Sequence, residues 1–150
     1  MTQAEAQVQA ESKPRPIVPY LVLPEKEGGK AYLSGSRCKS CGAAYLGPRT
    51  VCGKCLATGS FENIKFSDYG ELHTFSIVYQ TAPGIQVPFV AAIVDLPEGT
   101  SVRCNIEGIE PDPEKLVPLL GKRVEMYTEK IRTDREGNDV IAFKFRPAKG

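Results

Sequence analysis

Four cysteines set in two pairs, Cys38-Lys39-Ser40-Cys41 and Cys52-Gly53-Lys54-Cys55, are the residues in this 150-residue sequence best placed to do chemistry. Each C-x-x-C puts two thiolates on one tight turn. Two such turns face to face offer four soft sulfur ligands in a tetrahedron, the arrangement zinc favours. Gly42 and Gly53 supply the backbone freedom for loops that wrap a metal with their N–H groups toward sulfur. A rubredoxin-type iron centre uses the same ligands but needs an electron-transfer setting. A thioredoxin-like thiol pair needs a βαβ unit around one pair, and no helix of the right length follows either. A catalytic zinc keeps an open position, which four cysteines close. The reading is therefore one structural Zn2+ per chain, held by Cys38, Cys41, Cys52 and Cys55 in a rubredoxin-like zinc ribbon. Such a ribbon is too small to bury a core, so zinc binding, worth about 10–16 kcal/mol, is what would fold it. Ala44–Leu46 and Arg49–Val51 flank Gly47-Pro48, the pattern of a short hairpin between the knuckles.

Other reactive side chains are few. The single histidine, His73, alternates with Phe75, Ile77 and Tyr79 and reads as a strand side chain with one hydrogen bond. Cys104 alternates with Val102 and Ile106, which makes it a core thiol. No Ser/His/Asp or Cys/His arrangement, phosphate-cradling glycine loop or paired acids at helical spacing is present, so the chain is not expected to be an enzyme on its own.

The elements that must position the cysteines divide the chain into three. Residues 1–29 carry a net charge of −1, residues 30–65 carry +5 and residues 66–150 carry −3, within a total of +1. Met1–Glu11 is polar and reads as disordered, without the basic and then apolar run of a secretory signal. No stretch approaches the ~20 apolar residues of a membrane span. With five cysteines, an odd number that suits metal binding better than disulfides, the expected location is the cytoplasm. Pro14, Pro16, Pro19 and Pro24 break an apolar run, so residues 14–24 form an extended arm rather than a helix. Its Ile17, Val18, Tyr20, Leu21 and Leu23 are too apolar for a free tail and must lie on their own domain or on a partner. Ile85 and Val87, in the loop Thr81–Pro88, raise the same choice. Residues 30–65 form the ribbon.

From Phe66 onward the pattern is strands and turns. Gly70–Gln80 is the first strand. Phe89–Leu96 is a continuous apolar run expected to be buried on both faces, and Thr100–Glu107 alternates with Val102, Cys104 and Ile106 on one side. Pro113–Leu120 makes one short helix with Asp112 as N-cap and Gly121 after its end, disturbed by Pro118. Arg123–Ile131 and Val140–Phe145 close a final hairpin, with Ile141, Phe143 and Phe145 on one face. Five strands with a short helix between the third and fourth describe an OB-fold barrel over residues 66–150, and the whole chain is mainly β.

An OB barrel invites a single-stranded nucleic-acid reading. The charge distribution speaks against it: the barrel part is acidic, its aromatics (Phe75, Tyr79, Phe89, Tyr127, Phe143 and Phe145) mostly alternate with apolar residues as core residues do, and four thiolates on zinc leave the ribbon near +3. Nucleic-acid binding is the alternative function. Arg37, Lys39, Arg49 and Lys54 on the ribbon form a solvated basic face or a site for CoA phosphates.

The sequence resembles the zinc-ribbon/OB-fold proteins found beside thiolase-like enzymes of acyl-CoA metabolism, over residues 30–147. The resemblance is carried by Arg37–Gly42, Gly47-Pro48-Arg49 leading into Val51–Cys55, Gly70–Ser76, Pro88–Leu96 with Glu98-Gly99, and Phe143–Pro147. Within that family the chain is similar to the small subunit of benzoylsuccinyl-CoA thiolase of anaerobic toluene degradation. The family's usual helical segment before the ribbon is replaced here by the proline-broken arm. The resemblance implies a non-catalytic subunit that pairs with a thiolase-like catalytic subunit in a hetero-oligomer, where the partner's cysteine and histidines perform the carbon–carbon chemistry. CoA or acyl-CoA would then lie at the shared interface, with Ile17, Val18, Tyr20, Leu21, Leu23, Ile85 and Val87 as candidate partner contacts.

Overall fold

The computed structural model describes residues 13–25 and 28–148. The disorder expected of Met1–Glu11 lies outside the described residues. The polar and proline-broken start gives way to two short strands, β1 (Arg15–Pro16) and β2 (Leu21–Val22). The ribbon sheet follows, built of β3 (Tyr32–Cys38), β4 (Ala44–Leu46) and β5 (Phe61–Lys65), in which β3 pairs antiparallel with both β4 and β5.

The barrel consists of β6 (Tyr69–Val78), β7 (Phe89–Asp95), β8 (Ser101–Ile106), β9 (Arg123–Thr133) and β10 (Asp139–Pro147). Pairing runs β6 to β7 to β8 to β10 to β9 and back to β6, closing the sheet on itself, with β8 and β10 parallel. This closed five-stranded order, with the helix between the third and fourth strands, is the OB-fold. β8 meets β10 at Phe145, and β1 takes the same edge of β10 at Val140 and Ile141, so that edge is not left open. The core is packed by Leu72, Val90, Val94, Val102, Ile106, Val124, Phe143 and Phe145, inward residues of the strands, together with Leu116 of the helix between the third and fourth strands.

Helix α1 (Pro113–Leu116) begins as its sequence dictates. Asp112 accepts a hydrogen bond from the Glu114 N–H at 3.0 Å, Pro113 occupies the first turn, and Leu116 is fully buried. Pro118 has no N–H to continue the helix, and the chain tightens into a 3-10 turn over Val117–Leu119 before Gly121 takes φ +75°.

Three expectations are corrected. Strand β7 is not buried on both faces: Val90, Ala92 and Val94 point into the core, whereas Ile93 is 38% exposed. Its pairing with β6 explains this, because Ala91 faces Ser76 and Ile93 faces Thr74 on the outer side of the barrel. In β10, Phe143 and Phe145 enter the core, but Ile141 is only half-buried and stays outside it. No hairpin links Ala44–Leu46 to Arg49–Val51. Strand β4 pairs instead with β3, and Val51 makes a single bridge to Thr58. The nearer segment loses because every residue of β4 pairs with β3, a strand already braced on its other side by β5.

The arm docks on its own chain. β1 runs parallel to β10 at Val140 and Ile141, and β2 pairs antiparallel with β3 through Leu21–Leu33 and Val22–Tyr32. The proline-rich arm therefore straps the ribbon to the barrel, with its own Leu21 1% exposed. The junction is tightened at Gly35, where a Cβ would collide with the Tyr45 carbonyl oxygen and the ring of buried Phe66.

Candidate metal centre

The two knuckles have the same backbone construction. In the first, the Cys38 N–H donates to the Ala43 carbonyl at 2.8 Å and the Gly42 N–H to the Cys38 carbonyl at 2.8 Å. In the second, the Cys52 N–H donates to the Ala57 carbonyl at 2.9 Å and the Leu56 N–H to the Cys52 carbonyl at 3.0 Å. Gly42 and Leu56 thus hold equivalent places, and both are left-handed, with φ +80° and +63°. Gly53, expected to need such freedom, is not among the residues with positive φ, and a side chain there meets only ordinary contacts. A Cβ there would lie 3.4 Å from the Tyr45 hydroxyl and 3.5 Å from an Arg49 nitrogen.

The knuckles bring the four sulfurs of Cys38, Cys41, Cys52 and Cys55 within 4.8 Å of one another. Cys38 and Cys55 are 3.6 Å apart and Cys41 and Cys52 3.5 Å. A tetrahedron with zinc–sulfur bonds of about 2.3 Å has edges of roughly 3.8 Å, so the donor set and its spacing fit zinc. Donors stabilise thiolates within the cluster. Cys52 receives the Tyr45 hydroxyl at 3.4 Å and the N–H groups of Lys54 and Cys55 at 3.4 and 3.5 Å. Its pKa is lowered to about 5, first by the Tyr45 hydroxyl and then by those amides. Cys38 is lowered as well, chiefly by the Cys41 backbone N–H. Cys104 stands apart in the barrel core, where burial pushes its thiol up to about 12, so it remains a protonated, unreactive packing residue at neutral pH.

The other expected site residues are dispersed. Arg37 donates to the Gly42 and Glu98 carbonyls, both at 3.2 Å, tying the ribbon to the turn between β7 and β8. Glu98 completes that junction by accepting from the Ser67 N–H at 2.8 Å and its hydroxyl at 2.6 Å. Arg49 lies over the Tyr45 ring, 4.3 Å from its centroid. Only Lys39 and Lys54 of the four basic residues carry neither kind of contact, and both are exposed on the knuckles. Among the apolar candidates, Val18, Tyr20 and Leu23 are half-buried against the core and Leu21 is wholly within it. Leu21 therefore has no surface to offer a partner, which withdraws it from the candidate contacts. Ile17, Ile85 and Val87 are exposed.

His73 lies at a register shift between β6 and β7 and is exposed, with Nδ1 2.9 Å from Asp95. The Ser101 hydroxyl also donates to Asp95 rather than to the histidine, so no nucleophile–base link is formed. Tyr79, expected in the core, is 64% exposed.

Sequence reasoning missed Leu56. The signal was the broken repeat, since the first knuckle reads Cys41-Gly42 and the second Cys55-Leu56. A leucine in the left-handed region costs roughly 1–2 kcal/mol, and this one is 74% exposed, so little burial offsets the cost. Leu56→Gly is expected to raise the stability of the zinc-loaded chain by about 0.5–1 kcal/mol, after the greater chain entropy of glycine is subtracted. Denaturant midpoints decide this, and a lowered midpoint would mean that Leu56 packs in solution.

A four-cysteine ribbon fused to a closed OB barrel defines the class: a two-module zinc-ribbon/OB-fold protein. Residues 27–62 match the family described as ChsH2, rubredoxin-like zinc ribbon domain, and residues 64–129 match ChsH2, C-terminal OB-fold domain. The chain belongs to this DUF35 family. It is 35% identical over 120 residues to a DUF35 domain-containing scaffold protein of Methanothermobacter thermautotrophicus, covering 77% of this chain and 86% of that one. It is 33% identical over 121 residues to the benzoylsuccinyl-CoA thiolase subunit BbsA of Geobacter metallireducens, covering 81% and 78%. Among solved structures it is similar to the Ltp2-ChsH2(DUF35) aldolase, with TM-score 0.57, 25% identity and coverage of 77% and 84%. The chain is thus homologous to a thiolase subunit and shares its fold with the Ltp2-ChsH2(DUF35) aldolase. Among the described residues no helix is long and apolar enough to cross a membrane.

Proposed function

We propose that this chain is the non-catalytic, zinc-holding subunit of a thiolase-type complex that cleaves or condenses a β-keto acyl-CoA. The observation that carries the proposal is the likeness to BbsA across both modules. The benzoylsuccinyl-CoA of anaerobic toluene degradation is one candidate substrate. Cys38, Cys41, Cys52 and Cys55 hold one Zn2+, which supplies folding energy to the ribbon and takes no part in the reaction. Free thiols kept for a metal suit the cytoplasm.

The partner supplies the reacting groups, and this chain supplies surface. Exposed Ile85 and Val87 in the loop after β6, Tyr79 at its base, Ile17 on the arm and Leu56 on the second knuckle are apolar side chains a soluble monomer gains nothing by displaying. Lys39 and Lys54, exposed on the knuckles, are the basic residues proposed to meet CoA phosphates at the shared surface. Arg37 and Arg49, already bonded to carbonyls or stacked on a ring, serve the ribbon's own structure instead.

The test is assembly. Mixed with the thiolase-like enzyme of its source, the chain is expected to elute from size exclusion as one hetero-oligomer, and Ile85→Asp combined with Val87→Asp to loosen it at least tenfold. Separate elution of the two wild-type proteins at micromolar concentration would refute the proposal.

A further inference from the structure

The two knuckles are near copies in backbone, yet their sulfurs are not equally provided for. Among the described residues one side-chain hydroxyl reaches the cluster: Tyr45 Oη lies 3.4 Å from Cys52 Sγ. Cys38, the equivalent residue of the first knuckle, has no such partner there; its side-chain contact is Cys55.

We infer that Tyr45 is a positioning residue of the metal centre, donating its O–H to the Cys52 thiolate and so fixing that ligand's orientation and electron density. The inference rests on the proposal that the ribbon holds zinc. Two features of the fold prepare the contact. Strand β4 presents Tyr45 opposite Ser36 of β3, one residue from Arg37 and two from Cys38, so the ring is carried by the same ladder that carries the first knuckle. The ring is clamped from two directions, by the Arg49 guanidinium 4.3 Å from its centroid and by Phe61 edge-on at 6.4 Å and 67°.

Donors to a ligating sulfur withdraw density from it and hold its lone pair in place, and partners of this kind commonly change metal affinity 10- to 100-fold. Tyr45→Phe keeps the ring, its packing and the stacked guanidinium while deleting one O–H. It is expected to weaken zinc binding about tenfold in chelator competition. In the cobalt-substituted protein it is expected to move the sulfur-to-cobalt charge-transfer band to longer wavelength, since the thiolate lone pair rises in energy. Tyr127→Phe, which removes the hydroxyl bonded to Glu107 on the barrel, controls for general destabilisation and should leave both readings unchanged. Affinity and band position in Tyr45→Phe equal to wild type would overturn the inference while leaving the zinc reading intact. Failure of the wild-type protein to hold zinc or cobalt stoichiometrically would overturn both.

Discussion

Serine at any one of positions 38, 41, 52 or 55 is expected to abolish stoichiometric zinc and unfold the ribbon, whereas Cys104→Ser keeps one zinc per chain. The difference follows from position. Four sulfurs within 4.8 Å form one cluster, and the apparent energy of structural zinc binding, about 10–16 kcal/mol, is distributed over all four bonds. A serine hydroxyl is a hard, protonated donor at neutral pH and cannot replace a thiolate on zinc. Cys104 lies in the barrel core, so its serine variant loses about 1–3 kcal/mol through a buried hydroxyl without touching the metal. Elemental analysis of the five variants reads the outcome. Loss of metal in the Cys104 variant alone would contradict the site.

The second large effect concerns the arm. Leu21→Ala is expected to destabilise the isolated chain by about 2–5 kcal/mol, because the side chain is fully buried and its loss leaves a cavity. Ile17→Ala, directly after β1 in an exposed place, should cost less than about 1 kcal/mol. Deleting residues 1–24 removes β1 from the barrel edge and β2 from the ribbon together. That deletion should lower the stability of the chain by itself, before any partner is added. Thermal melts of the isolated chain distinguish this from an arm whose purpose is assembly. An unchanged melt after the deletion would show that the arm does not dock as described.

The parts of the structure legible in the sequence were those specified by local chemistry. The C-x-x-C spacing, the Asp112 cap with Pro113 and Gly121, and the alternation of Val102, Cys104 and Ile106 each encode their own conformation within a few residues. What was hidden depends on partners far along the chain. The hairpin expected around Gly47-Pro48 lost to pairing with β3, a strand disguised by Ser34-Gly35-Ser36, whose small residues have low strand propensity but admit Phe66 at close range. The apolar run of β7 looked doubly buried because sequence does not reveal whether an apolar outer face is covered within the chain or left exposed, as Ile93 is. The arm was undecided for a like reason: its prolines exclude a helix but say nothing of which surface receives Leu21.

The most direct measurement of the functional account is the steady-state cleavage of a β-keto acyl-CoA by the thiolase-like partner, assayed with and without this chain. The account predicts no turnover by this chain alone, and at least a tenfold gain in kcat/KM for the partner when the zinc-loaded chain is added in equimolar amount. A partner that is soluble and fully active without the chain, with unchanged kinetics on its addition, or an isolated chain that turns over the acyl-CoA itself, would contradict it.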